Sequence, residues 1–215
     1  MQILSVNIGQ KRTQPKGNEL ETTGIYKRPT KDAVEIKTLG IQTDAICDTK
    51  NHGGPDQAIY IYGTADYDWW STELGKGLEP GTFGDNLTIS ELESAGFNVG
   101  DRLQVGSTIL EVTAPRIPCG TLARRMGDAH FVKQYRHAER PGLYCRVIRE
   151  GSVRAGDDVQ VERYTGETIS ILQMFRDHFD TNKSEETLRR ALRAPIAIRE
   201  RIEAEEDLQK LLSKR

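Results

Sequence analysis

Residues 99–112 read VGDRLQVGSTILEV, and this stretch indicates the class of fold more clearly than any other. It holds two short β-like runs, Arg102–Val105 and Thr108–Val112, and a Val-Gly-Asp turn precedes the first of them. Ala-Gly-Asp at 155–157 precedes a similar run in the same way. Further runs of this kind recur along the chain: Ile3–Val6, Ala58–Tyr62, Leu143–Ile148 and Val159–Glu162. Many short strands separated by turns favour a β-barrel or sandwich over alternating βαβ units.

Helical periodicity is predicted at two places inside this β-rich region. One helix covers Ala65–Leu74, and the other starts near Thr121. After Tyr164 the alternating pattern gives way to charged sequence with helical spacing. We therefore predict a mainly β domain at 1–164 followed by a smaller helical unit at 165–215.

Three helices are expected in that C-terminal unit. Ser170 followed by Gln173 resembles a capping box, and Ser184 is a suitable N-cap for the second helix. Pro195 separates the second helix from the third, because proline cannot continue a helix. Met174 and Phe175 are interpreted as core residues of this unit.

Composition excludes several classes of function. The net charge of −2 gives no general attraction to nucleic acid or to an anionic membrane. No apolar run approaches the roughly 20 residues that span a bilayer, and Met1–Gly9 looks like a strand rather than a signal peptide. Three cysteines are too few and too scattered for a disulfide framework. We expect a reduced, cytoplasmic, soluble protein.

Four segments punctuated by glycine or proline have no obvious role in strand packing. They are residues 23–29 (TGIYKRP), 51–57 (NHGGPDQ), 81–87 (GTFGDNL) and 115–120 (PRIPCG). Each segment also has an interpretation that involves no function. In the same order, these are a solvated basic pair, a surface turn, a β-bulge and a buried thiol. The cysteine segment has the most specific chemistry, because prolines hold the backbone on both sides of Arg116. A thiolate at Cys119 would suit a soft metal centre, and Arg116 could lower its pKa.

The same residues could support other chemistries. A zinc site is disfavoured, since no Cys-x₂-Cys pair exists and the four histidines lack ligand spacing. A hydrolase with Cys119 as nucleophile and His52 as base stays open, because such partners need not be close in sequence. Cys47 and Cys145 lie in strand-like runs and are interpreted as packing residues.

Taken together and in order, these segments resemble the MOSC family, named after the C-terminal domain of molybdenum-cofactor sulfurase, and in particular its YiiM-like bacterial branch. The similar stretches cover nearly the whole chain, including the helical tail: Thr23–Pro29, His52–Tyr62, Gly81–Leu87, Val99–Val112, Pro115–Cys119, Arg140–Ile148 and Gly151–Asp157. Gly120-Thr121 departs from the family, where an aromatic residue and a lysine are frequent. This departure bears on substrate preference more than on cofactor binding.

The resemblance implies a fold that is mainly β with some α, a MOSC-type β-barrel followed by a three-helix unit. It also implies binding of the molybdenum cofactor, a molybdopterin with a dithiolene and a phosphate. Cys119 would ligate molybdenum as the catalytic residue. Cations would neutralise the phosphate or line the entrance: Lys27, Arg28, Arg116 and Arg140. Polar loop residues would fix the pterin, with two more flanking it: His52, Asp56, Gln57, then Phe83 and Asn86.

The activity implied by the resemblance is reduction of N-hydroxylated small molecules, such as 6-N-hydroxylaminopurine, in detoxification. No flavin, nicotinamide or iron–sulfur motif is visible, so a separate electron-donor protein is expected. The alternatives are a non-catalytic carrier of the cofactor or its sulfur, the Cys–His hydrolase, and a purely structural role. The sequence leaves open whether the tail packs on the barrel, forms a homodimer surface or docks the donor.

Overall fold

All the described β-strands and three α-helices lie in the first 162 residues, and the three remaining described α-helices follow them. The structure, a computed structural model, describes residues 1–49 and 52–213, so Asn51 of the predicted histidine loop lies outside it. The strands are β1 (Ile3–Gly9), β2 (Arg12–Lys16), β3 (Glu19–Thr23), β4 (Lys27–Thr30), β5 (Val34–Lys37), β6 (Gly40–Ile41), β7 (Ile59–Gly63), β8 (Leu87–Ile89), β9 (Arg102–Val105), β10 (Thr108–Ala114), β11 (Leu143–Arg149), β12 (Gly151–Val153) and β13 (Val159–Glu162). The helices are α1 (Thr64–Glu73), α2 (Gly120–Met126), α3 (Phe131–Ala138), α4 (Ile171–His178), α5 (Glu185–Arg193) and α6 (Ile198–Leu212).

One sheet of eight strands carries most of the core. Its strand order is β13-β9-β10-β11-β7-β8-β1-β4, and β7 and β8 pair in parallel while the other neighbours are antiparallel. Smaller sheets join β12, β5 and β6, and join β2 to β3 as a hairpin. The predicted strands at 102–105 and 159–162 are confirmed, and those at 3–6, 58–62, 108–112 and 143–148 differ only at their ends.

The barrel predicted from the sequence is confirmed only as a large sheet in a mixed α/β protein. The pairings within the described residues do not establish a closed barrel. The penultimate strand of the sheet, β1, does approach the opposite edge, because the backbone N–H of Ile3 donates to the carbonyl of Asp157 at 2.9 Å and Gln2 forms a β-bridge with Asp158. β1 thus contacts the segment that leads into β13.

The helical tail begins where the sequence predicted it. The Ser170 hydroxyl accepts a hydrogen bond from the Gln173 N–H, and the Ser184 hydroxyl accepts one from the Thr187 N–H. Side-chain caps of this kind satisfy backbone donors that the first turn of a helix leaves free. Phe175 is 1% exposed, which confirms its interpretation as a core residue. None of the helices that the structure describes has the length and apolar character needed to cross a membrane.

Candidate active site

A pocket opens beside β4, β7 and the segment after β10. Its cavity volume is about 130 Å³, smaller than the range of about 300–1,000 Å³ typical of sites that enclose a drug-sized ligand. Five of the residues predicted to bind a cofactor line it together with Cys119. They are Lys27, His52, Gln57, Asn86 and Arg116. The structure therefore brings together side chains from four segments that are far apart in the sequence.

Cys119 lies at the point where an extended segment becomes a helix. β10 ends at Ala114, two prolines keep residues 115–118 out of the helix, and Cys119 is the residue immediately before α2. Its backbone is extended, with φ −132° and ψ 170°. This position leaves the thiol in the pocket wall and only partly buried.

The Cys119 thiol is poised to ionise near neutral pH. Burial opposes ionisation, but His52, which lines the same pocket, and the positive charge of Arg116 both favour the thiolate. These contacts outweigh burial and lower the pKa of Cys119 to about 6. At pH 7 the thiolate is therefore the major form, which is the form that ligates metals or attacks electrophiles.

Arg116 is buried, with 5% of its surface exposed, and its guanidinium contacts two neighbouring groups. Its Nη1 donates to the carbonyl oxygen of Phe83, and its guanidinium lies 4.9 Å from the centre of the Tyr60 ring. The Nε atom is buried without a hydrogen-bond partner. A buried donor in this state is expected to be satisfied by something that enters the pocket.

A buried ion pair forms the wall opposite the thiol segment. Lys27 is 8% exposed and its Nζ contacts Oδ2 of Asp44, whose side chain is 3% exposed. Asp44 also accepts from the Gly9 N–H at 2.7 Å and from Nδ2 of Asn86 at 2.9 Å. Burial lowers the pKa of Lys27, and the neighbouring Asp44 carboxylate opposes that change. Asp44 thus ties three segments together at the pocket.

Gln57 presents an unused acceptor at the same site. It belongs to a short 3₁₀ turn, Pro55–Gln57, which Gly54 enters with φ 93°. Its Oε1 atom is shielded from solvent and has no hydrogen-bond partner among the described residues. Gln57 and Arg116 therefore offer one free acceptor and one free donor to a ligand.

Two of the predicted cations do not lie in the pocket. Arg28 is exposed on β4, where alternating side chains point to opposite faces, and its neighbour Lys27 takes the inward position. Arg140 pairs with Asp66 at 2.9 Å and Glu93 at 3.2 Å, and its guanidinium lies 5.1 Å from the ring centre of Trp69. The structure thus assigns Arg140 to the α1 side of the protein, away from the thiol.

Two further residues predicted from the loops, Asp56 and Phe83, also lie outside the pocket lining. Asp56 forms an ion pair with Arg146 at 3.0 Å and accepts from the Ile198 N–H at 2.7 Å, so it faces the helical tail. The Phe83 ring is fully buried and stacks on Tyr62 with 4.5 Å between ring centres. Only the Phe83 carbonyl serves the site, through Arg116.

Sequence reasoning missed several residues that line the pocket: Asp44, Cys47, Tyr60 and Tyr144. Cys47 is not in a strand and lines the pocket, so its interpretation as a packing residue is wrong, while fully buried Cys145 confirms the same interpretation. Burial raises the pKa of Cys47, which distinguishes it from Cys119. The two tyrosines gave no local signal, because they lie in strands with ordinary alternation.

Close backbone packing requires glycine at two positions near the pocket. A Cβ atom on Gly24 would lie 1.8 Å from the carbonyl oxygen of Ala45. Gly84 has φ +77°, and a Cβ there would lie 3.2 Å from Nη1 of Arg116. A larger residue at either position would displace a wall of the pocket.

Comparison with known proteins identifies the family. The sequence profile of the MOSC domain matches residues 48–160, which include His52, Arg116 and Cys119. The chain belongs to the MOSC domain family. MOSC domains are associated with binding of the molybdenum cofactor, so the protein has a function associated with that cofactor. The family and the YiiM-like branch predicted from the sequence are both confirmed.

Individual relatives agree with this assignment. The uncharacterized protein YflK of Bacillus subtilis is 31% identical over 190 residues, which cover 88% of this chain and 86% of YflK. A protein named reductase from Gibberella moniliformis is 27% identical over 180 residues, covering 81% of this chain but 31% of that protein. The crystal structure of YiiM from Geobacillus stearothermophilus has the same fold, with a TM-score of 0.79, 24% identity and coverage of 96% and 98%.

Proposed function

We propose that this protein is a molybdenum-cofactor-dependent reductase of N-hydroxylated compounds, with Cys119 as the metal ligand. The observation that carries the proposal is the Cys119 thiol, which lines an open pocket together with His52 and Arg116, and these two residues lower its pKa. The relative named reductase is consistent with this direction of chemistry. The net reaction converts a hydroxylamine, two electrons and two protons into an amine and water.

The residues present fit the cofactor. No group of three or more His, Cys, Asp or Glu side chains among the described residues could hold a metal by itself. A single thiolate is what the chain would need to supply if the dithiolene of the cofactor supplied the other sulfur ligands. The free Gln57 acceptor would suit an N–H of the pterin, and the free Nε of Arg116 would suit an oxygen of the phosphate or the pterin.

The protein's own contribution would be to orient and tune. The bound cofactor would supply the redox chemistry at the metal. His52 would hold the sulfur in its ionised form, and the Lys27–Asp44 pair would fix the Asn86 amide at the pocket wall. Lys27 is balanced by Asp44, so Arg116 is the better candidate of the two to neutralise a phosphate. As proposals, we retain a separate electron donor, a cytoplasmic location and the division of the chain at residue 164.

The proposal is tested with protein purified with its cofactor, with Cys119→Ala and Cys47→Ser beside it. Both cysteines line the pocket, so Cys47→Ser is a matched control. We expect Cys119→Ala to lose molybdenum in elemental analysis and to lose reduction of 6-N-hydroxylaminopurine by a chemical reductant. Cys47→Ser should retain both. Metal-loaded protein that gives no turnover, while its molybdenum is being reduced, would reject the reductase and favour a carrier of the cofactor.

The position of His52 and Cys119 in one pocket also favours a second candidate, a cysteine hydrolase. A thiolate paired with histidine is the arrangement that such enzymes use as nucleophile and base. This candidate predicts a burst of product from an activated ester in metal-free protein. It also predicts that adding the cofactor inhibits the burst, because both would use the same sulfur.

A further inference from the structure

The helical tail forms part of the wall around the thiol. A groove with a volume of about 470 Å³ shares Cys119, His52 and Gln57 with the pocket. Its far side is built by the tail, through residues of α4 and α6: His178, Arg199, Glu200 and Glu203. A molecule approaching Cys119 through this groove would therefore contact the tail.

A second hollow adjoins the groove on the side of the helical tail. Its cavity volume is about 70 Å³, and it shares His178, Glu200 and Glu203 with the groove. Its lining is largely aliphatic, including Ile117, Ile169, Met174, Leu188, Ile196 and Ala204. Polar and charged side chains line the rest of it: Asp177, His178, Lys183, Thr187, Glu200 and Glu203. A small hollow of this kind, next to the groove, suits the apolar end of a molecule bound in the groove.

Glu200 is a polar group of this lining whose bonding is incomplete. Its Oε2 atom is shielded from solvent and has no hydrogen-bond partner among the described residues. Nearby Asp56 uses its carboxylate on Arg146 and the Ile198 N–H, and adds negative charge. Burial raises the pKa of Glu200, the adjacent Arg199 opposes that change, and Glu203 and Asp56 add to it. A ligand that carries positive charge and N–H donors would relieve both deficits.

We propose that Glu200 and the aliphatic hollow behind it form a recognition subsite for a flat, apolar molecule with a cationic or N–H-rich end. The subsite deepens the proposed function and rests on it in one respect, namely that the groove leads a substrate to Cys119. It selects by charge: the carboxylates of Glu200 and Glu203 favour cations over anions of the same shape, and the shielded Glu200 carboxylate outweighs the opposing charges of Lys183 and Arg199. Glu200 is then a specificity-determining residue of the tail, separate from the residues that would hold the cofactor.

Three small probes of one shape test the charge selection. Benzamidine is a planar cation, benzamide is neutral and benzoate is an anion. The full-length protein, as purified with its cofactor and without reductant, is titrated with each probe by calorimetry. The imidazole proton resonances of exposed His178, which borders both hollows, report the place of binding by NMR. We expect benzamidine to bind at least about tenfold more tightly than benzoate, with benzamide between them.

The variant Glu200→Gln isolates the carboxylate, and Glu205→Gln is its control, because Glu205 is exposed on the same helix. Glutamine keeps the size of the side chain and is well tolerated in the first turn of a helix. We expect Glu200→Gln to weaken benzamidine binding by about tenfold or more and to leave benzamide binding unchanged. Retained benzamide binding shows that the variant is folded. Glu205→Gln should stay within about twofold of the parent protein for all three probes.

Equal binding of benzamidine and benzoate would overturn the subsite, as would an unchanged benzamidine affinity in Glu200→Gln. Binding that leaves the His178 resonances unmoved would overturn it too. These outcomes are independent of the reductase activity, because no electron donor is present. A protein that reduces hydroxylamines without charge selection would lose this subsite alone, and one that selects by charge without turnover would lose only the reductase.

Discussion

His52 and Cys119 line the same pocket, and His52 lowers the pKa of the Cys119 thiol together with the positive charge of Arg116. The pocket thus brings together two loops that the sequence separates widely. It gives the protein a thiol whose acidity differs from that of its other cysteines, since burial raises the pKa of Cys47 and of Cys145. The three thiols can therefore be distinguished by their reactivity.

The first prediction concerns the titration of Cys119. In a Cys47→Ser background, the rate of alkylation by iodoacetamide should rise with pH through a midpoint near the Cys119 pKa of about 6. His52→Ala and Arg116→Met should each move the midpoint upward, the second by about one pH unit or more, because an opposite charge is lost. Fully buried Cys145 should stay unmodified. A midpoint at pH 8 or above in the parent background would contradict the described contacts.

The second prediction concerns the buried pair of Lys27 and Asp44. Asp44→Asn leaves the lysine without its counter-ion in a buried position, so the free energy of unfolding should fall by about 3–5 kcal/mol at neutral pH. Burial alone then depresses the folded-state pKa of Lys27. The loss of stability relative to the parent protein should therefore shrink as pH rises above that depressed value. It should be smallest above the ordinary lysine pKa, where Lys27 is neutral in both the folded and the unfolded chain. Urea unfolding at several pH values measures this dependence.

An exposed ion pair provides the control for Asp44→Asn. Glu35 lies 3.7 Å from Lys37, and both side chains are about half exposed. Glu35→Gln should change the free energy of unfolding by less than about 1 kcal/mol. A similar small loss in Asp44→Asn would mean that the Lys27 pair is not buried as described.

The third prediction separates a core role of Phe83 from a role in ligand contact. Phe83→Ala removes a ring that packs on Tyr62, Tyr67 and Trp70. It should lower the free energy of unfolding by about 3–5 kcal/mol, and Phe83→Leu should lose less. Cofactor content per folded molecule, measured by elemental analysis, should remain close to that of the parent protein.

Gln57→Leu is the opposite case to Phe83→Ala. It removes a buried acceptor that has no partner in the described structure, so the stability should be unchanged or slightly higher. Cofactor retention should fall if that acceptor binds the pterin. The reverse result, with Phe83 variants empty and stable and Gln57→Leu unstable and loaded, would restore the role first predicted for Phe83.

The sequence predicted the elements that local rules determine. The caps at Ser170 and Ser184 depend on residues three positions away, and the strands at 102–105 and 159–162 are bounded by turn residues. The β2–β3 hairpin was missed because its strands are mostly exposed and polar and one contains Pro15, so they show no apolar alternation. Helix α3 was missed because it is a short helix whose apolar positions match a core that only the folded chain assembles.

The candidate site was predicted at the level of loops rather than of side chains. Within one loop, Gln57 faces the pocket while Asp56 faces the tail, and the choice is made by Arg146 and Ile198 far along the chain. A single sequence does not specify such distant partners. The position of Cys119 at the end of an extended segment could be predicted, because the prolines around it act locally on the backbone.

The last prediction concerns the attachment of the tail to the histidine loop. Asp56 is the link, since it pairs with Arg146 of β11 and accepts from the Ile198 N–H at the start of α6. Asp56→Ala should lower the free energy of unfolding by about 1–3 kcal/mol and increase hydrogen exchange in the first turn of α6. It should also weaken the preference for benzamidine over benzoate, because Glu200 lies in that same turn. The Cys119 titration should be unchanged, since Asp56 does not line the pocket.

Asp207→Ala is the control for this variant, because Asp207 pairs with Lys210 at 3.3 Å towards the end of α6 and both side chains are largely exposed. It should leave exchange at the start of α6 and probe selectivity unaltered. If Asp56→Ala shifted the Cys119 midpoint and left α6 unaffected, the aspartate would belong to the pocket, as the loop sequence first indicated. If it affected α6 alone, Asp56 would stabilise the tail without an electrostatic effect on Cys119, and the tail and the thiol segment would be connected only as parts of the groove lining.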